Sequence, residues 1–443
     1  MPTLPHRRRW PRAAAGILAG LLAGSIAGAI ARPMATPGSP RARVLHAAPT
    51  LATPGVPVEL RFAPVCEPVG TPACDLRAAT LHVMAAGRWT DVPGTVDGGE
   101  ATFVVPGELV AEDGFAYYAE MSSATGAVLR YPPAGARHPL QVDSTAGFSE
   151  IVLSPDLSLA EVRTPDGTAL FLPWGEEPGH VGRTDGGDDR DPLGPSSFAV
   201  GPSGELAVAD WVNERISVFD ADGTYRELPL PERVTVDLAV GADGRIALVG
   251  LGMGARVHEL SADGRPLGSY PVALGAPVRV VAPGDGPVVM IGPGQWVPVR
   301  TPKGQALDQA GEDAGRRASP DGALSQALAD DRFAVAWPGP GPATVGVVVG
   351  LPPGINVGVD YFVQRLADGG ALVARGLWDE DRMAVGLFRF SPSGELLDLS
   401  LLPEPSPRMD ARFSTVRFRP PAEVLVAYDR VDGIAIERFE VTA

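Results

Sequence analysis

Lysine and cysteine are nearly absent from this sequence of 443 residues, and histidine occurs only six times. Lys303 is the single lysine, and 53 acidic residues outnumber 37 basic ones, which gives a formal net charge of −16. Because proteins bind nucleic acid through cations that neutralise phosphates, this balance argues against a nucleic-acid partner. No GxSxG, HExxH or P-loop motif occurs, and only His180 and His258 lie beyond residue 143. These absences argue against a serine hydrolase, a nucleotide-binding enzyme and a histidine-rich metal centre.

The only two cysteines, Cys66 and Cys74, lie close together in the sequence. In an exported chain such a pair is most simply a disulfide that closes a short loop. A metal or redox pair is the alternative, but the spacing is not CxxC and no histidine is nearby. The sequence therefore predicts a disulfide.

Glycine and proline are abundant, with 54 and 46 residues, and they separate short apolar runs. Such spacing indicates turn-dense, all-β structure rather than disorder. The length predicts more than one domain.

The N-terminus has the pattern of an export signal. The basic stretch 6–12 precedes an apolar, Gly/Ala-rich stretch at 13–31, which ends in the small-residue cleavage option Ala29-Ile30-Ala31. We predict a signal peptide over residues 1–35, and a location outside the cell or on the exterior of its envelope. An uncleaved single membrane anchor is the alternative, since the apolar stretch is about long enough to span a bilayer.

Residues 36–143 are predicted to form a small β-sandwich after a linker at 37–43. Strand candidates separated by turn residues are Val56–Phe62, Ala79–Met84, Ala101–Val105, Phe115–Met121 and Ala127–Tyr131. The last two, followed by Tyr131-Pro132-Pro133, resemble the final strand pair of immunoglobulin-like or fibronectin-III-like modules. Because neighbouring strand residues point to opposite faces, one of Tyr117 and Tyr118 should fill the core and the other should lie outside.

From residue 144 to 443 the turn signals become periodic. The stretch 194–231 contains four short apolar runs separated by turns, which predicts one four-stranded antiparallel meander. The turn between the first two strands recurs about every 40 residues, with a longer last step, at Gly204, Gly244, Gly286, Asp331, Gly369 and Pro421. Four strands per unit at this period indicate a β-propeller, here with six blades.

The first of these units resembles an NHL repeat. The residues that carry the resemblance are the Pro-Ser-Ser-Phe-Ala-Val stretch at 195–200, Leu206–Asp210, Asn213, Arg215-Ile216 and the hairpin ending at Gly223. The second unit keeps its turns but lacks the Asp, Asn and Arg signature, and later units keep mainly the period. The resemblance implies a structural role for Asp210, Asn213 and Arg215. Their chemistry gives the same expectation, since Asp and Asn bond loop backbone and Arg reaches an adjacent blade. Catalysis by these residues is the alternative.

The last unit supplies only three strands, at 413–418, 423–428 and 434–441. The stretch Thr168–Trp174 is predicted to add the fourth, which closes the ring and removes an exposed strand edge. Residues Ile151–Val162 are expected to add another strand or to form a linker, and the sequence does not place them in a unit.

Tryptophans recur after the second strand of several units. If they lie on one face of the propeller, they form an aromatic ring suited to sugars or peptides, whereas packing of each indole between blades is the alternative. The four residues are Trp211, Trp296, Trp337 and Trp378.

The connector 175–194 should lie on the same face and is rich in carboxylates. Calcium binds clustered carboxylates on a turning loop, but the spacing does not match an EF-hand, so a solvated acidic loop is the alternative. The carboxylates are Asp185, Asp188, Asp189 and Asp191.

The sequence thus favours a secreted, monomeric, non-catalytic protein whose propeller face binds carbohydrate or protein. A divergent propeller lyase or hydrolase with a central calcium is one alternative, and a scaffold that only displays the sandwich is another. No cofactor other than calcium is indicated, and contact with a membrane is expected only through an uncleaved N-terminal segment.

Peptide mapping of the exported protein without reduction is expected to find Cys66 and Cys74 in one linked pair, because export to an oxidising compartment favours this bond. A reduced sample is the control and should release both peptides. Two thiols that alkylate in the unreduced, unfolded protein would contradict the prediction.

Overall fold

The computed structural model describes residues 41–46, 48–67, 74–184, 193–232, 235–250, 255–272, 279–281, 287–292, 295–299, 321–339, 343–405 and 415–441. The predicted signal peptide lies outside these residues. Helical structure in the described part consists of two 3-10 turns, Gly107–Leu109 and Gly135–Arg137. No described helix is long and apolar enough to cross a membrane.

Ten strands form two sheets before residue 145. They are Arg41–Leu45 (β1), Leu51–Ala52 (β2), Val58–Glu67 (β3), Leu76–Ala85 (β4), Arg88–Pro93 (β5), Thr95–Asp97 (β6), Glu100–Val105 (β7), Phe115–Ser123 (β8), Val128–Tyr131 (β9) and Leu140–Ser144 (β10). One sheet has the order β1-β3-β7-β6, and the other has β2-β10-β8-β4-β5 with β9 paired to β8.

Both of these N-terminal sheets contribute side chains to one hydrophobic cluster. Phe62 and Phe103 come from the first sheet, and Leu81 and Tyr117 come from the second. Tyr117 is fully buried, whereas Tyr118 stacks on the ring of His82 outside that cluster. The expected opposite facing of the two tyrosines is therefore confirmed. The linker predicted at 37–43 is partly wrong, because residues 41–43 already belong to β1 and pair with β3.

Twenty-three further strands follow. They are Ser149–Val152 (β11), Gly167–Pro173 (β12), Ser197–Val200 (β13), Leu206–Asp210 (β14), Arg215–Phe219 (β15), Tyr225–Pro229 (β16), Thr235–Val240 (β17), Ile246–Gly250 (β18), Arg256–Leu260 (β19), Pro266–Pro271 (β20), Arg279–Val281 (β21), Val288–Gly292 (β22), Gln295–Pro298 (β23), Leu324–Ala329 (β24), Arg332–Pro338 (β25), Thr344–Gly350 (β26), Asn356–Arg365 (β27), Ala371–Trp378 (β28), Met383–Phe390 (β29), Leu396–Pro403 (β30), Val416–Arg419 (β31), Glu423–Arg430 (β32) and Gly433–Glu440 (β33).

These strands form six sheets in the described part of the chain, which we number in chain order. Sheet 1 is β13-β14-β15-β16, sheet 2 is β17-β18-β19-β20, sheet 3 is β21-β22-β23, and sheet 5 is β27-β28-β29-β30. Sheets 4 and 6 are β24-β25-β26 and β31-β32-β33, each extended by one earlier strand. The short strands form because alternating apolar residues are separated by turns with positive φ, as at Gly204 and Gly244.

The first strands lie side by side in sheets 1 and 2, 2 and 3, 4 and 5, and 5 and 6, and β13 of sheet 1 also lies beside β31 of sheet 6. Five hydrophobic clusters each fill the space between two neighbouring sheets, as in sheets 1 and 2 or sheets 5 and 6. Consecutive antiparallel sheets that pack face to face, with their first strands around a common axis, define a β-propeller.

Two earlier strands complete sheets 4 and 6. β12 pairs antiparallel with β33, so the fourth strand predicted from residues 168–174 is confirmed, while closure of a six-bladed ring stays a prediction. β11, which overlaps the start of the stretch 151–162, pairs parallel with β26 in sheet 4, a place that the sequence did not predict. The segment between them contacts β30, the edge strand of sheet 5, where the backbone N–H of Arg163 donates to the carbonyl of Leu401 at 2.7 Å.

Asp237 and Arg417 connect first strands near the propeller axis. The Arg417 guanidinium donates to the carboxylate of Asp237 and, through Nε, to the carbonyl of Phe198 at 2.7 Å. Asp237 also accepts from Ser197 Oγ at 2.9 Å and from the backbone N–H of Val280 at 2.7 Å. These bonds join sheets 1, 2, 3 and 6, and the Asp237 side chain is fully buried.

Gln326 connects the N-terminal sheets to sheet 4. Its Oε1 accepts from the backbone N–H groups of Thr50 and Leu51 at 2.6 and 2.9 Å, and its Nε2 donates to the Leu51 carbonyl at 2.7 Å. A single buried amide thus satisfies three backbone groups of another sheet.

Replacing Arg417 with methionine is expected to lower the free energy of unfolding by about 3–5 kcal/mol, since it leaves the buried Asp237 carboxylate without its arginine. Arg77→Met is the control, because Arg77 pairs with Asp75 on the surface, where such a pair contributes less than about 1 kcal/mol. Scanning calorimetry measures both. Equal melting temperatures for the two variants would contradict the role of Arg417.

Candidate functional site

Asp210 ends β14 and organises the loop that follows it. Both of its carboxylate oxygens accept from the backbone N–H of Gly182 at 3.1 Å, and one accepts from Asn213 Nδ2 at 2.8 Å. Burial raises the pKa of the Asp210 carboxyl, while these hydrogen bonds and the charge of Arg215 act in the opposite direction. Both oxygens of the Asp210 carboxylate thus accept hydrogen bonds from the loop after β14 and from the connector that precedes sheet 1.

Arg215 holds the connector that leads from β12 into sheet 1. Its guanidinium donates to the carbonyls of Glu176, Glu177 and His180 at 3.2, 2.9 and 2.8 Å. It also pairs with Glu227 at 2.7 Å. Asn213 Nδ2 donates in turn to the carbonyl of Gly175 at 2.9 Å. The sequence predicted that the arginine reaches an adjacent blade, whereas its backbone contacts in the described residues are to the connector.

A groove of about 570 Å³ opens beside this loop. Three carboxylates lie along it, and Arg215 is the one cation among the lining residues. The lining residues are Glu176, Val212, Asn213, Glu214, Arg215, Glu227, Leu228 and Pro229. Because the Arg215 guanidinium is already bonded to three carbonyls and Glu227, we call this feature the acidic groove.

Glu214 has a backbone conformation that is rare for its residue type. Its φ is +58°, and among the described residues only Ala86 shares a positive φ without being glycine. L-residues in this left-handed region are destabilised by about 1–2 kcal/mol. Residues held in such conformations are frequent at ligand-binding sites. A glutamate at a position where glycine would be unstrained therefore suggests that its side chain contributes to binding.

The four tryptophans do not share one environment. Trp337 lies within β25, where its side chain is fully buried beside the ring of Phe390, so it cannot belong to an exposed aromatic ring. Trp211 follows β14, is half-buried, and donates to the carbonyl of Gly194 at 2.7 Å. Trp378 ends β28 and is also half-buried. Trp296 lies in the third strand of sheet 3, and its side chain is outside the described residues.

The candidate calcium ligands lie outside the described residues. They are Asp185, Asp188, Asp189 and Asp191. Within the described part of the chain, no group of three or more His, Cys, Asp or Glu side chains is placed to hold a metal ion. Cys66 is in β3 and Cys74 precedes β4, and their disulfide stays a prediction.

Charged residues near the axis were missed by the sequence analysis. Asp237 and Arg279 lie in the first strands of sheets 2 and 3, seven positions before the turn glycines Gly244 and Gly286, as Ser197 does before Gly204. A polar or charged residue at the same position of successive apolar strands is the sequence pattern that could have identified these axial residues. Asp360, Arg375 and Arg417 add to this group from sheets 5 and 6.

No protein-family model and no curated protein matches the sequence. Among solved structures, a streptogramin B lyase is 12% identical with a TM-score of 0.35, over 86% of this chain and 97% of that one. Virginiamycin B lyase from Staphylococcus aureus is 14% identical with a TM-score of 0.31, over 57% and 85%. A protein from Lactobacillus plantarum is 13% identical with a TM-score of 0.33, over 82% and 95%.

These similarities are too distant to carry an argument about function. The sheet order, the first strands around one axis and the closing pair β12–β33 define the class of the protein as a β-propeller with a preceding pair of sheets.

Glu214→Gly is expected to raise the melting temperature, because glycine adopts positive φ without strain. The gain is up to about 1 kcal/mol, after allowing for the greater freedom of glycine in the unfolded chain. Glu214→Ala is the control, since it removes the same carboxylate but keeps the strained Cβ. A glycine variant that melts no higher than the alanine variant would rule out backbone strain at this position.

Proposed function

We propose that this chain is an exported binding protein whose acidic groove holds a basic segment of a partner protein. The observation that supports it is the excess of carboxylates in the groove, where Glu176, Glu214 and Glu227 surround an arginine that is already bonded. The overall charge of −16 adds a long-range attraction for a basic partner. We further propose a six-bladed NHL-like propeller, an immunoglobulin-like sandwich before it, the Cys66–Cys74 disulfide and a monomeric state.

A protein partner is favoured over a carbohydrate. Sugar recognition by stacking requires open aromatic faces. Trp337 is buried, and the Trp211 indole N–H is bonded to the chain itself. The groove offers instead the carboxylates of Glu176 and Glu214, with Glu227 paired to Arg215 behind them, beside the apolar side chains of Val212 and Pro229. That combination suits arginine side chains, whose charged heads pair with carboxylates while their stems lie on apolar surface.

The alternative of a lyase or hydrolase with a central calcium has less support. Calcium prefers six to eight oxygen ligands that include carboxylates. The charged residues described near the axis are three arginines and two aspartates, and one of the aspartates, Asp237, is bonded to Arg417, Ser197 and Val280. This arrangement has a positive excess that opposes a divalent cation.

The test uses a labelled peptide of alternating arginine and glycine, with fluorescence anisotropy at low and physiological salt. We expect binding that weakens with salt, because exposed charges are screened. The double variant Glu176→Gln/Glu214→Gln should bind about threefold to tenfold more weakly, at up to about 1 kcal/mol per exposed pair.

The matched control is Glu108→Gln/Glu112→Gln, which removes the same charge from exposed positions before residue 145. It should bind as the unmodified protein does. Equal weakening by both double variants would show that only net charge matters and would overturn the assignment to the groove, as would a peptide that does not bind at all.

A further inference from the structure

The outer face of the second N-terminal sheet carries aromatic rings that the fold leaves accessible. Leu81 of β4 and Tyr117 of β8 point inward and fill the hydrophobic cluster between the two sheets. Their neighbours His82 and Tyr118 lie opposite each other in the β4–β8 pair and therefore point to the other face. Trp89 of the edge strand β5 reaches the same face, because its ring contacts that of Tyr118.

These three rings form one contiguous surface, which we call the aromatic platform. Tyr118 stacks on His82 with ring centres 4.4 Å apart, and the Trp89 ring lies 5.2 Å from Tyr118 at an angle of 74°. Trp89 is 37% exposed, and it is the one exposed residue among the tryptophans whose side chains are described. Large aromatic residues are mostly buried in folded proteins, so an accessible indole beside two further rings indicates a contact surface.

Charged side chains flank the aromatic platform on both sides of His82. Asp91 accepts a hydrogen bond from His82 Nδ1 at 2.7 Å, and its side chain is 69% exposed. Glu120 accepts from Arg130 Nε at 2.8 Å, and its Oε2 lies 3.7 Å from His82 Nε2. Carboxylate acceptors and guanidinium donors thus lie next to the rings. Because a hydroxyl group both donates and accepts, neighbouring hydroxyl groups of a ligand match this arrangement.

The aromatic platform lies away from the contact between its sheet and the propeller. The sheet has the order β2-β10-β8-β4-β5, and it meets sheet 4 at the β2 end, where Gln326 bonds the backbone of Thr50 and Leu51. The rings and the charges beside them belong to β5, β4, β8 and β9, which span about 14 Å at the usual distance between strands. An elongated, flat ligand can therefore lie across this end of the sheet.

The size and charge of the aromatic platform favour a carbohydrate over a protein partner. A protein interface of standard size buries about 800 Å² on each partner, around a hydrophobic core. Complete burial of a tryptophan or tyrosine accounts for about 150–250 Å², and the rings here are only partly accessible. Asp91 and Glu120 already bond His82 and Arg130, so they attract a basic segment less strongly than the acidic groove does.

We propose that the aromatic platform binds an extended β-linked glucan. The C–H face of one sugar ring lies on Trp89, and hydroxyl groups of the chain bond Asp91 and the Glu120–Arg130 pair. β-Linked glucose units carry their hydroxyl groups equatorially, which leaves both faces of each ring apolar and keeps the chain flat. A flat chain fits an open sheet face, whereas an α-linked chain coils away from it. This site is independent of the acidic groove, which takes a charged ligand.

The test measures binding of cellotetraose to the purified full chain by titration calorimetry, at low and physiological salt. We expect saturable binding with the same affinity at both salt concentrations, because the ligand has no charge to be screened. Maltotetraose contains the same sugar with α-linkages. It should bind at least about tenfold more weakly, because a coiled chain loses a stacking contact and a hydrogen bond to a charged group.

Two variants of Trp89 assign the binding to the aromatic platform. Trp89→Ala should weaken cellotetraose binding at least about fivefold, because it removes the apolar surface and the stacking contact. Trp89→Phe should retain part of the affinity, since a ring remains. Phe171→Ala is the matched control, because Phe171 is 42% exposed but lies on β12 of the propeller. It should bind cellotetraose as the unmodified protein does.

Absence of cellotetraose binding overturns the proposal, as does equally tight binding of maltotetraose. Cross-strand aromatic pairs also stabilise sheets, so melting temperatures are measured beside the affinities. A Trp89→Ala variant that melts lower but binds cellotetraose unchanged would assign the rings a structural role and overturn the proposal. If Trp89→Ala does not fold, Trp89→Phe and the two oligosaccharides still decide. The arginine–glycine peptide should bind Trp89→Phe unchanged, so failure at this site and failure at the acidic groove are distinguishable.

Discussion

The carboxylate of Asp237 joins four sheets of the propeller through hydrogen bonds and an ion pair. It lies on the first strand of sheet 2 and is bonded to the first strands of sheets 1, 3 and 6. The apolar clusters between neighbouring sheets are local, since each one joins only two sheets. A buried ion pair adds little to stability compared with apolar packing, but it specifies geometry where sheets at opposite ends of the sequence meet.

The Asp237–Arg417 pair is one case of a wider pattern, in which first strands carry polar residues on the side of the propeller axis. First strands cannot be uniformly apolar, because their open edges face the centre of the ring and their side chains must find partners across it. Serine, aspartate and arginine therefore replace aliphatic residues at Ser197, Asp237, Arg279 and Arg417.

Much of the architecture was predictable from local sequence. Glycine turns that recur about every 40 residues predicted the repeating four-stranded sheets. Because the last unit has only three strands of its own, a fourth strand from earlier in the chain was expected, and β12 is that strand. β11 was not predictable, because its four residues pair parallel with β26 through a register that no turn specifies. The structural role of Asp210 and Arg215 followed from chemistry, although the connector they hold was not foreseen.

The candidate sites were less predictable than the fold. The environment of Trp337 depends on where β25 ends, and a difference of a few residues separates an exposed loop from a buried strand. The axial charges come from four sheets and are brought together only by closure of the ring. The acidic groove likewise depends on a connector and a loop that meet in space, so no single stretch of sequence contains it.

The donated strands also set the order in which the protein can assemble. β12 pairs with β33, and Gly167 lies opposite Arg438 in this pair. Sheet 6 is therefore complete only after the last strand of the chain has been synthesised. During synthesis, sheet 6 stays incomplete until almost the whole chain has emerged, because β33 is the last strand. Contacts of such large sequence separation form slowly. For the export that we propose, this delay is useful, because a sheet that lacks its last strands leaves the chain open until synthesis is almost complete.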